Sequence, residues 1–191
     1  MKKWLSSDII LQRNTKLKYG ERIMKKSDVF AALLKEENIE FDREIIDFDN
    51  VEMNSKKIKD KDLFVAIRGG NNFVNEALNK GAFVVYDNSD IEIDGGFEKK
   101  AFFVHDSVKF LQKFAKKWCD SLNIKVIGIT GSNGKTTVKD MIYHILSQKY
   151  KGKKTLGNYN NHIGLPFTLL RSETDDKFII LEMGMSDFGE I

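Results

Sequence analysis

The stretch Val126 to Thr137, VIGITGSNGKTT, constrains this chain more than any other. An apolar, β-branched run breaks at Gly131 and Gly134 and passes directly into a segment of helical period. Strand, glycine turn and helix in that order build a phosphate site. Backbone N–H groups of the turn and of the first helical turn point the same way, and the positive end of the helix dipole adds to them. Lys135 then reaches phosphate oxygens as a point charge, and the Thr136 hydroxyl is placed to ligate Mg²⁺. The general spacing GxxxxGK[ST] is not met, because Ile129 stands where its first glycine belongs; the shorter GxxGKT from Gly131 is what fits.

With 41% hydrophobic and 31% charged residues among 191, the chain is expected to be soluble and globular, with one or two small domains. The net charge is +3, and residues 1–23 hold six basic side chains against two acidic ones, which leaves no basic face for nucleic acid. Cys119 is the sole cysteine, so no intrachain disulfide can form. Its place on an apolar helix face reads as a core thiol, and the cytoplasm is the expected compartment. No apolar run approaches the roughly 20 residues of a membrane span, and Ile9 to Leu11 is too short for a signal-peptide core.

Residues 1–23 show no sustained period and are expected to form a loosely ordered extension rather than a short docking helix. From Ser27, read as an N-cap, Val29, Phe30, Leu33 and Leu34 give an amphipathic helix to about Glu37. Ile45 to Phe48, Val51 to Met53 and Leu63 to Ile67 read as strands, and Phe73 to Lys80 as a helix stopped by Gly81. Ala82 to Tyr86 and Ala101 to Val104 read as further strands around a loop at 87–96. Asp106 caps a helix with Val108, Leu111, Ala115, Trp118 and Cys119 on one face, and this helix connects two domains.

After the glycine loop, Val138, Met141, Ile142, Ile145 and Leu146 keep a helical spacing, which predicts that this face is buried against the sheet. Lys153 to Leu156 reads as a weak strand, Ile163 to Leu170 as a helix, and Phe178 to Leu181 as a buried strand ending in Glu182. An acid at that strand end shares the sheet edge of the glycine loop, so Glu182 is a second candidate Mg²⁺ ligand. The expected fold is α/β: a small N-terminal α/β domain over 24–105, a connecting helix over 106–123, and from 124 to 191 the start of a P-loop parallel-sheet domain. That last stretch holds only two clear strands and a weak one, fewer than a covered parallel sheet usually has, so a truncated piece of a longer protein is expected.

Four segments carry a family resemblance. ITGSNGKTT resembles the phosphate loop of the Mur ligases, ATP-dependent amide-forming enzymes of peptidoglycan precursor synthesis, whose loop has the short form TGxxGK[ST]. Gly157 to Pro166, GNYNNHIGLP, looks like their GNxNNxIGxP segment, and Leu181 to Ile191, LEMGMSDFGEI, like their EMGxxxxGEI segment. Asp62 to Gly69, DLFVAIRG, resembles their N-terminal substrate domain. There Asn54-Ser55-Lys56 stands in the place of the family's Asp-Ser-Arg, and GGNNF at Gly69 to Phe73 in that of a longer GxxxDGHDF segment. The combination of SNGKTT, GNxNN and EMG is most similar to the members that join D-alanyl-D-alanine to UDP-N-acetylmuramoyl-tripeptide.

The resemblance implies a reaction in which ATP converts a carboxylate to an acyl phosphate, an amine attacks, and phosphate leaves. It implies ATP held by Gly131, Ser132, Asn133, Gly134, Lys135, Thr136 and Thr137, and catalytic roles for Lys135 and Glu182. Mg²⁺ would sit on Thr136 and Glu182, with substrate contacts from Ser55, Asn160 and Asn161. It also implies that a carbamylated lysine, further metal ligands and a C-terminal domain lie outside this sequence. The isolated chain is therefore expected to be a monomer that binds nucleotide weakly and catalyses little. Two alternatives stay open: a related ligase of the folylpolyglutamate or cyanophycin synthetase type, and a non-catalytic nucleotide-binding interaction module. His105, His144 and His162 are given no role.

Overall fold

A computed structural model describes residues 24–184. The expected extension at 1–23 and the end of LEMGMSDFGEI, residues 185–191, lie outside the described residues. The described chain divides into two compact units, 24–117 and 118–184, and the division falls inside helix α3 (Ser107–Ser121).

In the first unit four parallel strands lie in chain order: β1 (Asn50–Glu52), β2 (Asp62–Val65), β3 (Phe83–Tyr86) and β4 (Ala101–Phe103). A parallel sheet has to be covered on both faces. On one, Val74, Ala77 and Leu78 of α2 (Val74–Asn79) pack with Ile58, Phe64, Ala66 and Val84. On the other, Phe30 of α1 (Lys26–Glu36) meets Phe48, Phe102, Phe110 and Phe114 edge-on at centroid distances of 5.3–5.7 Å. Such edge-to-face pairs add to what area burial alone contributes.

Three expectations change here. Ile45 to Phe48 is not a strand: Ile46 and Phe48 are buried as the apolar pattern requires, but the segment joins no ladder among the described residues, and the Ile46 carbonyl accepts from Arg43 Nη1 at 3.0 Å. The N-cap of α1 is Lys25 rather than Ser27, which is buried in the first turn; the Asp28 carboxylate accepts the Lys25 N–H at 2.8 Å. The helix expected from Phe73 starts as a 3₁₀ segment at Arg68–Phe73 and becomes α-helical from Val74. Gly81 follows it at φ +90°, a left-handed value suited to glycine at a helix end. Asp106 caps α3 as expected, accepting the Lys109 N–H at 2.9 Å.

The second unit holds a three-stranded parallel sheet in the order β5 (Lys125–Ile129), β7 (Phe178–Glu182), β6 (Gly152–Lys154). The central place of β7 accounts for its continuous apolar run, buried at every position. Helix α5 (Gly164–Leu170) lies between β6 and β7 in the chain, and buried Trp118 donates its Nε1–H to the Ser172 carbonyl at 3.1 Å.

Helix α4 (Lys135–Ser147) packs Ile142, Tyr143 and Leu146 against Ile129, Phe178 and Ile180. This overturns part of the expected face, because Val138, Met141 and Ile145 are 45%, 60% and 67% exposed. Residues 139, 142, 143 and 146 also have the i, i+3, i+4, i+7 spacing, and that stripe faces the sheet. Polar contacts fix the rotation: Lys154 of β6 pairs with Asp140 at 2.9 Å and lies 4.6 Å from the centre of the Tyr143 ring.

Candidate functional site

Ile129 and Glu182 are register partners at the ends of β5 and β7, so the glycine loop and the glutamate leave the sheet at the same edge. Ligands of open α/β sheets bind outside the carboxyl ends of the strands. Gly134 is the N-cap of α4 at φ +76°, a conformation that costs a residue with a Cβ about 1–2 kcal/mol. The first helical bond runs from Val138 N–H to the Gly134 carbonyl at 2.9 Å. The N–H groups of Lys135, Thr136 and Thr137 precede it and are not used within the helix. Ser132, Asn133 and Thr137 are exposed around this end. Lys135 Nζ donates to the Gly131 carbonyl at 2.7 Å, which lays the ammonium across the loop.

The Thr136 hydroxyl lies 3.1 and 3.0 Å from the two carboxylate oxygens of Glu182. Lys139 Nζ donates to Glu182 Oε2 at 2.9 Å, and both residues are buried. Asn160 lies near the same carboxylate and helps to hold its proton affinity down, and buried Thr155 accepts the Glu182 N–H at 3.0 Å. Burial pushes the Glu182 carboxyl up; hydrogen bonds from Lys139 and Thr136, with the Lys139 charge, outweigh that and hold it below the usual range.

These ligand atoms suit Mg²⁺, a hard cation that keeps several waters and takes one or two protein oxygens beside phosphate. Thr136 and Glu182 offer such oxygens next to amides suited to an anion. Among the described residues no group of three or more His, Cys, Asp or Glu side chains could cage an ion.

The edge thus gathers Lys135, Thr136, Glu182 and Asn160. Asn161 is nearby in the chain, but its Oδ1 accepts the Ile163 and Gly164 N–H groups at 3.1 and 2.9 Å and shapes the entry to α5. Ser55 lies in the first unit, half-buried in a 3₁₀ turn where its carbonyl accepts from Lys80 Nζ at 3.3 Å. Lys139 and Thr155 escaped the sequence reading. The signal for Lys139 was present as a lysine on the stripe 139, 142, 143, 146, one turn beyond Lys135.

A sequence profile of the Mur ligase middle domain matches residues 129–190, the stretch that builds this edge. The chain is 42% identical over 147 residues to the UDP-N-acetylmuramoyl-tripeptide–D-alanyl-D-alanine ligase of Bacillus subtilis, covering 74% of this chain and 32% of that relative. It is 40% identical over 153 residues to the ligase of the same name from Synechocystis, covering 78% and 33%. Its fold resembles MurF from Acinetobacter baumannii with a TM-score of 0.70 at 28% identity, over 84% of this chain and 36% of the other. It also resembles the MurF ligase from Thermotoga maritima in complex with ADP, with a TM-score of 0.64 at 34% identity, over 74% and 33%. The chain spans about a third of the length of the relatives it matches. A family pattern that falls on the residues forming this sheet edge, together with relatives alike in sequence and in fold, leads to one conclusion: this chain belongs to the Mur ligase family.

Proposed function

We propose that the chain carries the nucleotide site, and part of the substrate site, of an ATP-dependent amide ligase of peptidoglycan precursor synthesis that joins D-alanyl-D-alanine to UDP-N-acetylmuramoyl-tripeptide. The observation that carries this reading is the Thr136 hydroxyl within 3.1 Å of the Glu182 carboxylate, beside a helix N-terminus that opens on a glycine loop. Relatives named for that reaction, at 40% and 42% identity, supply the substrate class.

In this reading the backbone N–H groups of Gly131, Ser132, Asn133 and Gly134 cradle phosphates, and Thr137 borders the nucleotide. Lys135 moves from the Gly131 carbonyl to the phosphates and offsets charge that develops on them. Thr136 and Glu182 would hold Mg²⁺, which would offset charge on the phosphates of ATP, the donor of the phosphoryl group that activates a substrate carboxylate. Asn160, near Glu182, and Asn161 face the peptide end of the substrate. Ser55 contributes to the UDP-sugar site of an N-terminal domain at 24–105, joined by residues 106–123 to a central domain at 124–191. The reduced, buried Cys119 suits a cytoplasmic setting, and we assign the chain as a monomer.

Calorimetric titration with ADP and Mg²⁺, and separately with UDP-N-acetylmuramoyl-tripeptide, tests this function. Binding of both ligands supports it. Nucleotide binding with the UDP-sugar refused would reassign the first unit to a different acid substrate, and refusal of the nucleotide would overturn the reading.

A further inference from the structure

The carboxylate assigned to Mg²⁺ already carries a buried cation. Lys139 Nζ sits 2.9 Å from Glu182 Oε2, with the two side chains 4% and 6% exposed. The lysine reaches it from the sheet-facing stripe of α4, beside Ile142 and Tyr143. Among the described residues its other acidic neighbour, Asp140, is 3.9 Å away and is itself paired with Lys154 at 2.9 Å. A buried ammonium is costly unless paired, so the fold commits this one to Glu182.

We infer that Lys139 is a resident counter-ion that keeps Glu182 from taking up a divalent cation by itself, so that Mg²⁺ enters only together with the phosphates of a nucleotide. This rests on the reading of Thr136 and Glu182 as the Mg²⁺ ligands. Lys139 and Glu182 sum to zero charge, so Mg²⁺ arriving alone meets no net attraction. It would also have to shed water in exchange for a hydroxyl and a carboxylate that are already hydrogen-bonded. The phosphates of a nucleotide restore the negative charge that Lys139 cancels. Lys139 is thus a positioning residue: it fixes Oε2 and holds the carboxylate so that both of its oxygens lie within 3.1 Å of the Thr136 hydroxyl.

Thermal unfolding of the 191-residue chain without nucleotide, with and without Mg²⁺ at matched ionic strength, tests the inference. The wild type shows no Mg²⁺-dependent change in Tm. Lys139→Met lowers Tm, and Mg²⁺ well above its Kd then raises it by roughly 5 °C or more, because the unpaired carboxylate accepts the dication. Lys139→Arg keeps the charge and shows no response to Mg²⁺; Lys139→Met with Glu182→Gln shows none either. A purely structural lysine would lower Tm without recovery in Mg²⁺, and that result overturns the inference, as does a Mg²⁺ response in the wild type. Should Lys139→Met not fold, calorimetry on the wild type decides: Mg²⁺ taken up only in the presence of ADP sustains the inference, and uptake without ADP overturns it. Failure of the wild type to bind ADP defeats the nucleotide reading and the inference together; ADP binding without Mg²⁺ recovery in Lys139→Met defeats the inference alone.

Discussion

Glu182 is shared by two residues of one helix: Thr136 holds it from the exposed first turn of α4, and Lys139 holds it from the buried side at 2.9 Å. A buried ion pair contributes little net stability, yet removing one partner leaves the other charge uncompensated. Glu182→Ala should therefore cost about 3–5 kcal/mol in urea-induced unfolding at neutral pH. A variant as stable as the wild type would mean that Lys139 had turned to Asp140, 3.9 Å away.

Gly134 separates shape from charge. Its φ of +76° makes Gly134→Ala cost about 1–2 kcal/mol, and the altered turn should weaken ADP binding while every charged side chain is kept. Denaturant unfolding and calorimetric titration of the same variant check both effects. Unchanged stability would show that the loop accepts a side chain without strain.

Asp106 gives a pH dependence far from Glu182 in sequence. The Lys109 N–H bond, then the Lys109 side chain, hold its carboxyl below its ordinary value of 3.8. A carboxyl depressed in the folded state stabilises above its unfolded pKa and loses that contribution as pH falls through the folded one. The wild type should therefore exceed Asp106→Ala by about 1 kcal/mol at neutral pH, with the gap closing below pH 3.8. Asp106→Asn keeps an uncharged cap, and its margin over Asp106→Ala should vary less with pH. Urea unfolding across the acid range measures all three; a wild-type margin that persists to the lowest pH would refute the assignment.

Much of this was legible in the sequence because the signals were local. The glycine loop, the strand before it and the helix after it are specified by neighbouring residues, and the apolar run ahead of Glu182 marks a central strand. What could not be read depended on distant partners. Residues 135–147 carry two overlapping apolar stripes, and only Lys154 and Glu182, well along the chain, decide that 139, 142, 143 and 146 face inward. The inward place of Lys139 is set by the same distant partner, Glu182. Ile45 to Phe48 shows the converse: its alternation reports burial, while a strand also needs a backbone partner, and the described residues offer it none. Ser27 has the chemistry of an N-cap, but the helix begins one residue before it.

Every role proposed for the second unit requires that Gly131 to Thr136, with Glu182, receive the phosphates of a nucleotide. The most direct measurement is calorimetric titration of the wild type, Lys135→Ala and Thr136→Val with a non-hydrolysable ATP analogue, in Mg²⁺ and again in EDTA. The wild type should bind more tightly in Mg²⁺, Lys135→Ala should lose about tenfold or more of that affinity, and Thr136→Val should bind with little difference between Mg²⁺ and EDTA. Equal affinities for all three proteins, or no binding by the wild type, would contradict the assignment of this edge as a Mg²⁺-nucleotide site.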